Sequence, residues 1–422
     1  MKDDIFILGV GMTPLGKMPE RSIKSLTAEA VRAAMHDAGC SLADIEAAYF
    51  SNTTQSIIEG QHLIRGQVAL RAMGFAGIPI VNVENACASG STALYQAVNH
   101  LRAGASEVVL AVGVEKMYSA DRAKSAAIFD GGWDVHEAAA VAQRLSAIGK
   151  GVAVPPGRGP GVPSPFMELY ASLAKGHMKR FGTTERQLAA VAAKNHHHST
   201  MNPLSQYQND ISIDEVLAGK LICWPLTLPM CSPISDGAAA VILCTRDALK
   251  RFPKPRAIAV LGCVLSSGTD RDWQAAEDHL CRTAALKAYG QAGVNPPDIS
   301  VAEVHDASAF AEIVQIENLG FCELGQGGWL AERGETSIGG RIPVNPSGGL
   351  ESKGHPIGAT GLTQIYELVH QLRGTAGARQ VDGARLALAE NGGGFIGVEE
   401  AAAVVTILGQ ANTLVRSARH DA

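Results

Sequence analysis

Residues 87–104, CASGSTALYQAVNHLRAG, and residues 358–375, GATGLTQIYELVHQLRGT, are one segment written twice. Set side by side without a gap, they share Ala, Gly, Thr, Tyr, Val, Leu and Arg at seven of 18 positions. The match extends upstream. AVRAAMHDAGCSLADI (30–45) aligns with AALKAYGQAGVNPPDI (284–299) at a single offset, pairing Ala38-Gly39 with Ala292-Gly293 and Asp44-Ile45 with Asp298-Ile299. An offset held across a helical pattern and its glycine stop marks duplication of one α/β unit. The copies differ where each opens. The first begins its helix at Cys87, and the second is preceded by Gly354-His355-Pro356-Ile357-Gly358. A thiol from one half and an imidazole from the other are thereby expected to meet near a pseudo-twofold axis.

Outward from these segments, strand and helix signals alternate, the mark of a layered α/β architecture. In the first unit IFILGVG (5–11), IPIVNVENA (78–86) and EVVLAVGVE (107–115) read as strands, and 25–39 as an amphipathic helix. The second unit repeats this with strands over 256–267, 301–305 and 384–390, and helices over 276–293 and after Gly361. Residues 116–220 break the repeat. They hold a Gly/Pro-rich stretch (150–165) and helical patterns near 166–181 and 184–200, and are expected to form a lid or substrate wall. The CSPISDGAAAVILC run (231–244) returns to the core. The organisation expected is an N-terminal repeat (1–250) carrying the insertion, a C-terminal repeat (251–411) and a tail (412–422).

Bulk properties narrow the function. The 422 residues are 46% hydrophobic but only 5% aromatic, enough for a large core of small aliphatic side chains. A formal charge of −5 gives no footprint for nucleic acid. Eight cysteines without CxxC or metal-type spacing fit reduced thiols, and no metal is expected. No apolar run approaches membrane-spanning length. The N-terminus is too short and acidic for a signal peptide, and the final Arg-His-Asp-Ala is not a peroxisomal address. These features point to a cytoplasmic protein.

The chemistry-bearing residues cluster at strand ends. A lone cysteine usually packs as a small hydrophobe. Cys87 instead sits on a turn of small residues at a helix start, where the partial positive charge favours thiolate. His355 lies in a glycine-rich loop leading into the matching helix, placed to take the Cys87 proton for acyl transfer. His305-Asp306 ends a strand, where an imidazole can hydrogen-bond a developing oxyanion. Glu390-Asn391-Gly392-Gly393-Gly394 offers a carboxylate and free backbone N–H groups at one point. His196-His197-His198 reads as a solvated helix end, and GRGPG (157–161) lacks the strand–helix context of a phosphate loop.

VENACASGS around Cys87, SDGAAA (235–240), VHDASAF (304–310) and NPSGGLESKGHPIGATG (345–361) together resemble the thiolase superfamily, and within it the sterol-carrier-protein-type branch with its lipid-transfer-protein relatives. The resemblance spans nearly the whole chain. It implies a homodimer of five-layered αβαβα subunits that takes acyl-CoA and CoA as substrates, with no bound cofactor. It implies Cys87 as acyl acceptor, His355 as its base, His305 holding the thioester oxyanion through water, and the N–H groups of Cys87 and Gly392 as a second oxyanion hole. Two departures stand out. Aligning the glycines puts Glu390 where thiolases carry a second cysteine, the acid/base for the substrate α-carbon. The branch's His-Asp-Cys-Phe becomes His-Asp-Ala-Ser, so Ser308, with Asp306 and Asn391, is expected to reshape the acyl pocket. Chains with this Glu-Asn-Gly-Gly-Gly ending look similar to thiolases that work beside a small zinc-ribbon/OB-fold subunit, such as those cleaving benzoylsuccinyl-CoA, which points to a bulky or aromatic acyl group.

The leading expectation is therefore thiolytic cleavage of a 3-oxoacyl-CoA through acyl-Cys87. A retro-aldolase lyase acting on a β-hydroxyacyl-CoA with a partner subunit is the main alternative, because it needs an acid/base pair but no covalent thioester. A ketosynthase and a non-catalytic lipid carrier rank below it.

Overall fold

A computed structural model describes residues 4–156, 158, 161–162, 164–252 and 256–411. The expected tail (412–422), with its terminal tetrapeptide, and three residues of the GRGPG run lie outside the described residues.

The strands are β1 (Ile5–Met12), β2 (Ala47–Ser51), β3 (Ile80–Val83), β4 (Val108–Glu115), β5 (Leu221–Cys223), β6 (Leu226–Thr227), β7 (Gly237–Thr245), β8 (Ile258–Ser267), β9 (Val301–Glu303), β10 (Leu386–Gly393) and β11 (Ala402–Gln410). β5 and β6 form a small ribbon, and the rest align as β3-β2-β4-β7-β1-β8-β11-β10-β9. Read from its centre the order is the same in both directions: β1, β7, β4 and β2 match β8, β11, β10 and β9. The directions match as well. β2 is parallel to β4 as β9 is to β10, and β7 and β11 run antiparallel to their neighbours. The halves join through a short antiparallel β1–β8 pairing at Ile5, Phe6 and Ile7. The counterpart of β3 is reduced to one parallel bridge between Ala302 and Val344.

The period-two pattern of the strands builds the layers. In β4, Val109 and Ala111 face the central helices, whereas Val108, Leu110, Val112 and Val114 face the outer helix Ile23–Ala38. Strands of both halves share one core with the central helices Ser89–Arg102 and Thr360–Arg373, through Leu94, Val98, Leu362 and Leu368. On the far side, β8, β10 and β11 pack Val264, Leu388 and Val405 against the helix Leu280–Ala292. The result is the expected αβαβα stack. Each fully buried Leu, Ile or Val contributes about 1.5–3 kcal/mol of transfer free energy.

The glycine stops that revealed the duplication act as such: Gly39 and Gly293 end equivalent helices with φ of 70° and 66°. The insertion folds as helices Arg122–Ala127, Ala138–Ile148, Pro165–Phe181, Glu185–Ser199 and Ile213–Ala218. Its core joins Leu188 and Val191 to Phe310 and Ile313 of the second half. One expectation fails here. His196 and His198 are buried, because Glu185–Ser199 is packed on several sides; His198 Nδ1 pairs with the Asn345 carbonyl and its Nε2 accepts the Ile338 N–H. Only His197 is exposed.

Candidate active site

The chain leaves β3, turns sharply at Ala86 (φ 47°), and presents Cys87 two residues before the helix Ser89–Arg102. A non-glycine residue in the left-handed region stores strain, and such sites persist only where neighbours over-determine them. Here the Ser89 hydroxyl donates to the Ala86 carbonyl (2.6 Å) and accepts the Asn85 N–H (2.8 Å). The end of β10 presses on the same turn: a Cβ on Gly393 would lie 2.3 Å from the Asn85 carbonyl oxygen.

The second copy of the motif brings His355 to the same place. The duplicated glycines explain the approach. A Cβ on Gly361 would sit 2.5 Å from the Ser91 nitrogen, and one on its counterpart Gly90 would sit 3.0 Å from the Gly358 oxygen. The two central helices therefore begin in backbone contact, and their leading residues converge. His355 Nε2 lies 3.3 Å from Cys87 Sγ, and Nδ1 lies 2.7 Å from Thr360 Oγ1.

This network sets the tautomer. The Thr360 hydroxyl donates to the Pro356 carbonyl (3.1 Å), so its oxygen accepts from His355 Nδ1–H. The lone pair of Nε2 is left facing the thiol, as a general base requires. The expected resting thiolate does not form. Burial pushes the Cys87 thiol up to about 12, aided by Glu115 and Glu84 and opposed by the Gly394 N–H, which hydrogen-bonds the sulfur. Burial, then His305 and Lys353, hold His355 well below the usual imidazole range. The resting pair is a neutral thiol beside a neutral imidazole, and the ion pair belongs to the reacting state.

His305 completes a trio. Its ring stands edge-on to His355 with centroids 5.2 Å apart, and both its ring nitrogens are buried without partners. Burial lowers it to about 4, so it is a neutral N–H donor at physiological pH. Donor atoms of Cys87, His305 and His355 lie within 4.8 Å of one another. A thiol and two imidazoles could ligate a soft metal, but the Nε2 lone pair of His355 is already committed to the thiol.

The trio opens into a cavity of about 390 Å³. The inserted region supplies much of its wall through Ile128, Phe129, Phe166, Met167 and Tyr170. Phe166 stacks obliquely on Trp133 (5.0 Å) and edge-on to Phe129 (5.9 Å). Ala307 lines the cavity at the position after Asp306.

Three residues assigned to the acyl pocket from the sequence do not line it. Ser308 caps the helix Ala309–Asn318, accepting the Ala311 N–H. Asp306 turns inward to accept the Leu350 N–H (2.8 Å), tying the His305 and His355 loops together. Asn391 accepts from the Ser91 hydroxyl (2.7 Å) between the central helices. In each case a backbone or helix-end donor captures the short polar side chain. Gly392 lies opposite Ala403 in the β10–β11 register, and Gly394 lines the cavity with Cys87.

Glu390 is fully buried behind His305. Its Oε2 accepts the backbone N–H of His305 (3.0 Å) and its Oε1 lies 3.3 Å from the Cys281 thiol. Burial, then the charge of Glu400, raise it from 4.5 to about 8, so it carries a proton at neutral pH. Glu400 accepts from Gln315 (2.9 Å), and its other oxygen faces His279 Nε2 (3.7 Å) and Cys281 Sγ (3.8 Å). Sequence reasoning missed Thr360 and the cavity-lining Tyr170. For Thr360 the signal was present, since it stands five residues after His355 at the start of the helix.

Comparison with known proteins identifies the family. Residues 5–217 match the thiolase N-terminal domain model and residues 269–410 the thiolase C-terminal domain-like model. The chain belongs to the thiolase family. It is 38% identical over 397 residues to an acetyl-CoA acetyltransferase of Methanothermobacter thermautotrophicus, covering 93% of this chain and 96% of that one. It is 36% identical over 401 residues to bovine sterol carrier protein 2, covering 93% of this chain and 70% of the relative. Among solved structures, an Ltp2-ChsH2(DUF35) aldolase matches with TM-score 0.74 and 24% identity, over 97% of this chain and 98% of that one. Human mitochondrial 3-ketoacyl-CoA thiolase matches with TM-score 0.66 and 16% identity, over 97% and 99%. These two likenesses are of fold. No helix among the described residues is long and apolar enough to cross a membrane.

Proposed function

We propose that this thiolase is an acyltransferase that cleaves a 3-oxoacyl-CoA with free CoA through an acyl group held on Cys87. The observation that carries the reading is the Cys87–His355 contact, with the imidazole tautomer fixed for proton abstraction and the sulfur facing an apolar cavity. As the thiol attacks the 3-oxo carbon, His355 takes its proton. His305, alone or through a water, donates to the thioester oxyanion, and the N–H groups of Cys87 and Gly392 flank the oxyanion of the attacked carbonyl. Glu390 holds the proton that the leaving α-carbon needs. The free CoA thiol then removes the acyl group, and Cys87 recovers its proton from His355.

The aromatic wall of Phe129 and Phe166 around a cavity of about 390 Å³ supports a bulky or aromatic acyl group. The acetyl-CoA acetyltransferase relative and a 3-ketoacyl-CoA thiolase solved with CoA support CoA thioesters as the substrate class. β3 ends the sheet with Val81 and Asn82 exposed, an open edge suited to pairing with a second copy in a homodimer. The fold neighbour named for both Ltp2 and ChsH2(DUF35) supports a small partner subunit. Eight free thiols fit the cytoplasm.

Intact mass tests the central claim: a 3-oxoacyl-CoA substrate adds one acyl group to the protein, and Cys87→Ser abolishes the adduct. The lyase reading is favoured by the absence of a second cysteine at the glycine-rich strand end. Carbon–carbon cleavage that survives Cys87→Ala would establish the lyase instead.

A further inference from the structure

The cavity beside Cys87 has a charge pattern that the chemistry of acyl transfer does not call for. Among the described residues that line it there is no Lys, Arg or Asp, and one Glu, Glu84. Its two histidines, His305 and His355, are neutral because burial lowers both. Cations close in the chain to lining residues are committed elsewhere. Lys116, next to the lining Met117, turns to Asp236 (3.4 Å) and to the Met18 carbonyl. Lys353, two residues before His355, pairs with Glu303 (3.2 Å), and Arg158 pairs with Glu185 (3.4 Å).

Glu84 stands three residues before the nucleophile and is held there. Its Oε1 accepts the Ala86 N–H (2.6 Å) on the strained turn that presents Cys87, so carboxylate and sulfur are carried by one piece of backbone. Its charge reaches that sulfur and adds to the rise of the thiol. The hydroxyls that could offset it are already used. Thr53 Oγ1, which lines the cavity, donates to Glu115 (2.5 Å), and Thr54 Oγ1 has two acceptors at 2.7 Å, Glu115 and the Lys116 carbonyl. A substrate carboxylate entering here would give up water, find no cation and meet a like charge.

We propose, on the basis of the thiolase reading, that Glu84 is a specificity-determining residue that restricts this enzyme to uncharged acyl groups by rejecting those that carry a second carboxylate. The rejection comes from repulsion and from the missing counter-ion, not from size. The substrate class narrows to 3-oxoacyl-CoA thioesters whose acyl part is hydrocarbon or carries only uncharged polar groups, the kind that the wall of Phe129 and Phe166 accommodates. The benzoylsuccinyl group keeps a free carboxylate and falls outside that class.

The test compares succinyl-CoA with the CoA thioester of monomethyl succinate, in which the same carboxyl is masked and the group is larger. Acylation of Cys87 by each is followed by intact mass and expressed as a second-order rate constant. The expected result is a preference of about 100-fold or more for the ester. Glu84→Gln keeps an oxygen to accept from Ala86 and should cut the preference to about tenfold. Glu84→Lys should cut it further, because it puts a cation where the wall has none. Succinyl-CoA acylating the parent within about threefold of the ester overturns the proposal. So does a preference unchanged in both variants, which would place the selectivity elsewhere in the wall. Protection of Cys87 from iodoacetamide by each thioester reads the same preference without acyl transfer. A parent protected preferentially by the ester but acylated by neither thioester refutes the thiolase reading while leaving the role of Glu84 standing.

Discussion

Thr360 touches no substrate, yet the geometry makes it a strong control on Cys87. Thr360→Val removes the oxygen that accepts from His355 Nδ1–H at 2.7 Å and keeps the side-chain volume. Two costs follow. A buried N–H loses its acceptor, at about 1–3 kcal/mol. The ring is also released to the other tautomer, whose Nε2–H points at Cys87 and cannot accept its proton. If the productive tautomer loses about 1.4–2.8 kcal/mol relative to the other, the active population falls by about 10- to 100-fold. Stopped-flow measurement of Cys87 acylation at saturating acyl-CoA should show that drop in the rate constant. Affinity should hardly move, because Thr360 does not line the cavity. Thr360→Ser, which restores the oxygen, should recover most of the rate. Acylation by Thr360→Val within twofold of the parent would refute the argument that this hydroxyl sets the base.

Three further outcomes follow from the same structure. Gly361→Ala drives a methyl to 2.5 Å from the Ser91 nitrogen and 2.6 Å from Asn391 Oδ1; thermal unfolding should show a loss of about 3 kcal/mol, with slower alkylation of Cys87 as the pair is prised apart. Glu390 has a folded-state value of about 8 against 4.5 for a free carboxyl, so its contribution is complete below pH 4.5 and is lost as pH rises through 8. Melting temperatures at pH 6 and 9 should therefore fall less for Glu390→Gln, which mimics the neutral acid, than for the parent. Phe166→Ala opens the aromatic wall that packs on Phe129 and Trp133; competition among acyl-CoA substrates should shift toward larger acyl groups, with Cys87 alkylation unchanged.

Much of this was legible because duplication writes its own alignment. Gly90 and Gly361 match in the sequence and meet in space, and the order of strands follows from that symmetry. The short β2 and the last strand, β11, escaped the reading because the repeat signal there is weak and neither is bounded by strong turn residues. The buried His196 and His198 were misread because a polar run gives no sign that neighbouring elements cover both of its sides. Asp306, Ser308 and Asn391 were misplaced for a related reason: a position at a strand end was legible, but the direction of the side chain depends on which backbone donors lie nearby.

The aromatic part of the wall facing the sulfur comes from one stretch inserted within the first copy, while Cys87, His305 and His355 belong to the repeated units themselves. Selectivity for acyl size and reactivity therefore occupy separate stretches of the gene. A lineage, or an engineer, can exchange the first wholesale and inherit the second intact.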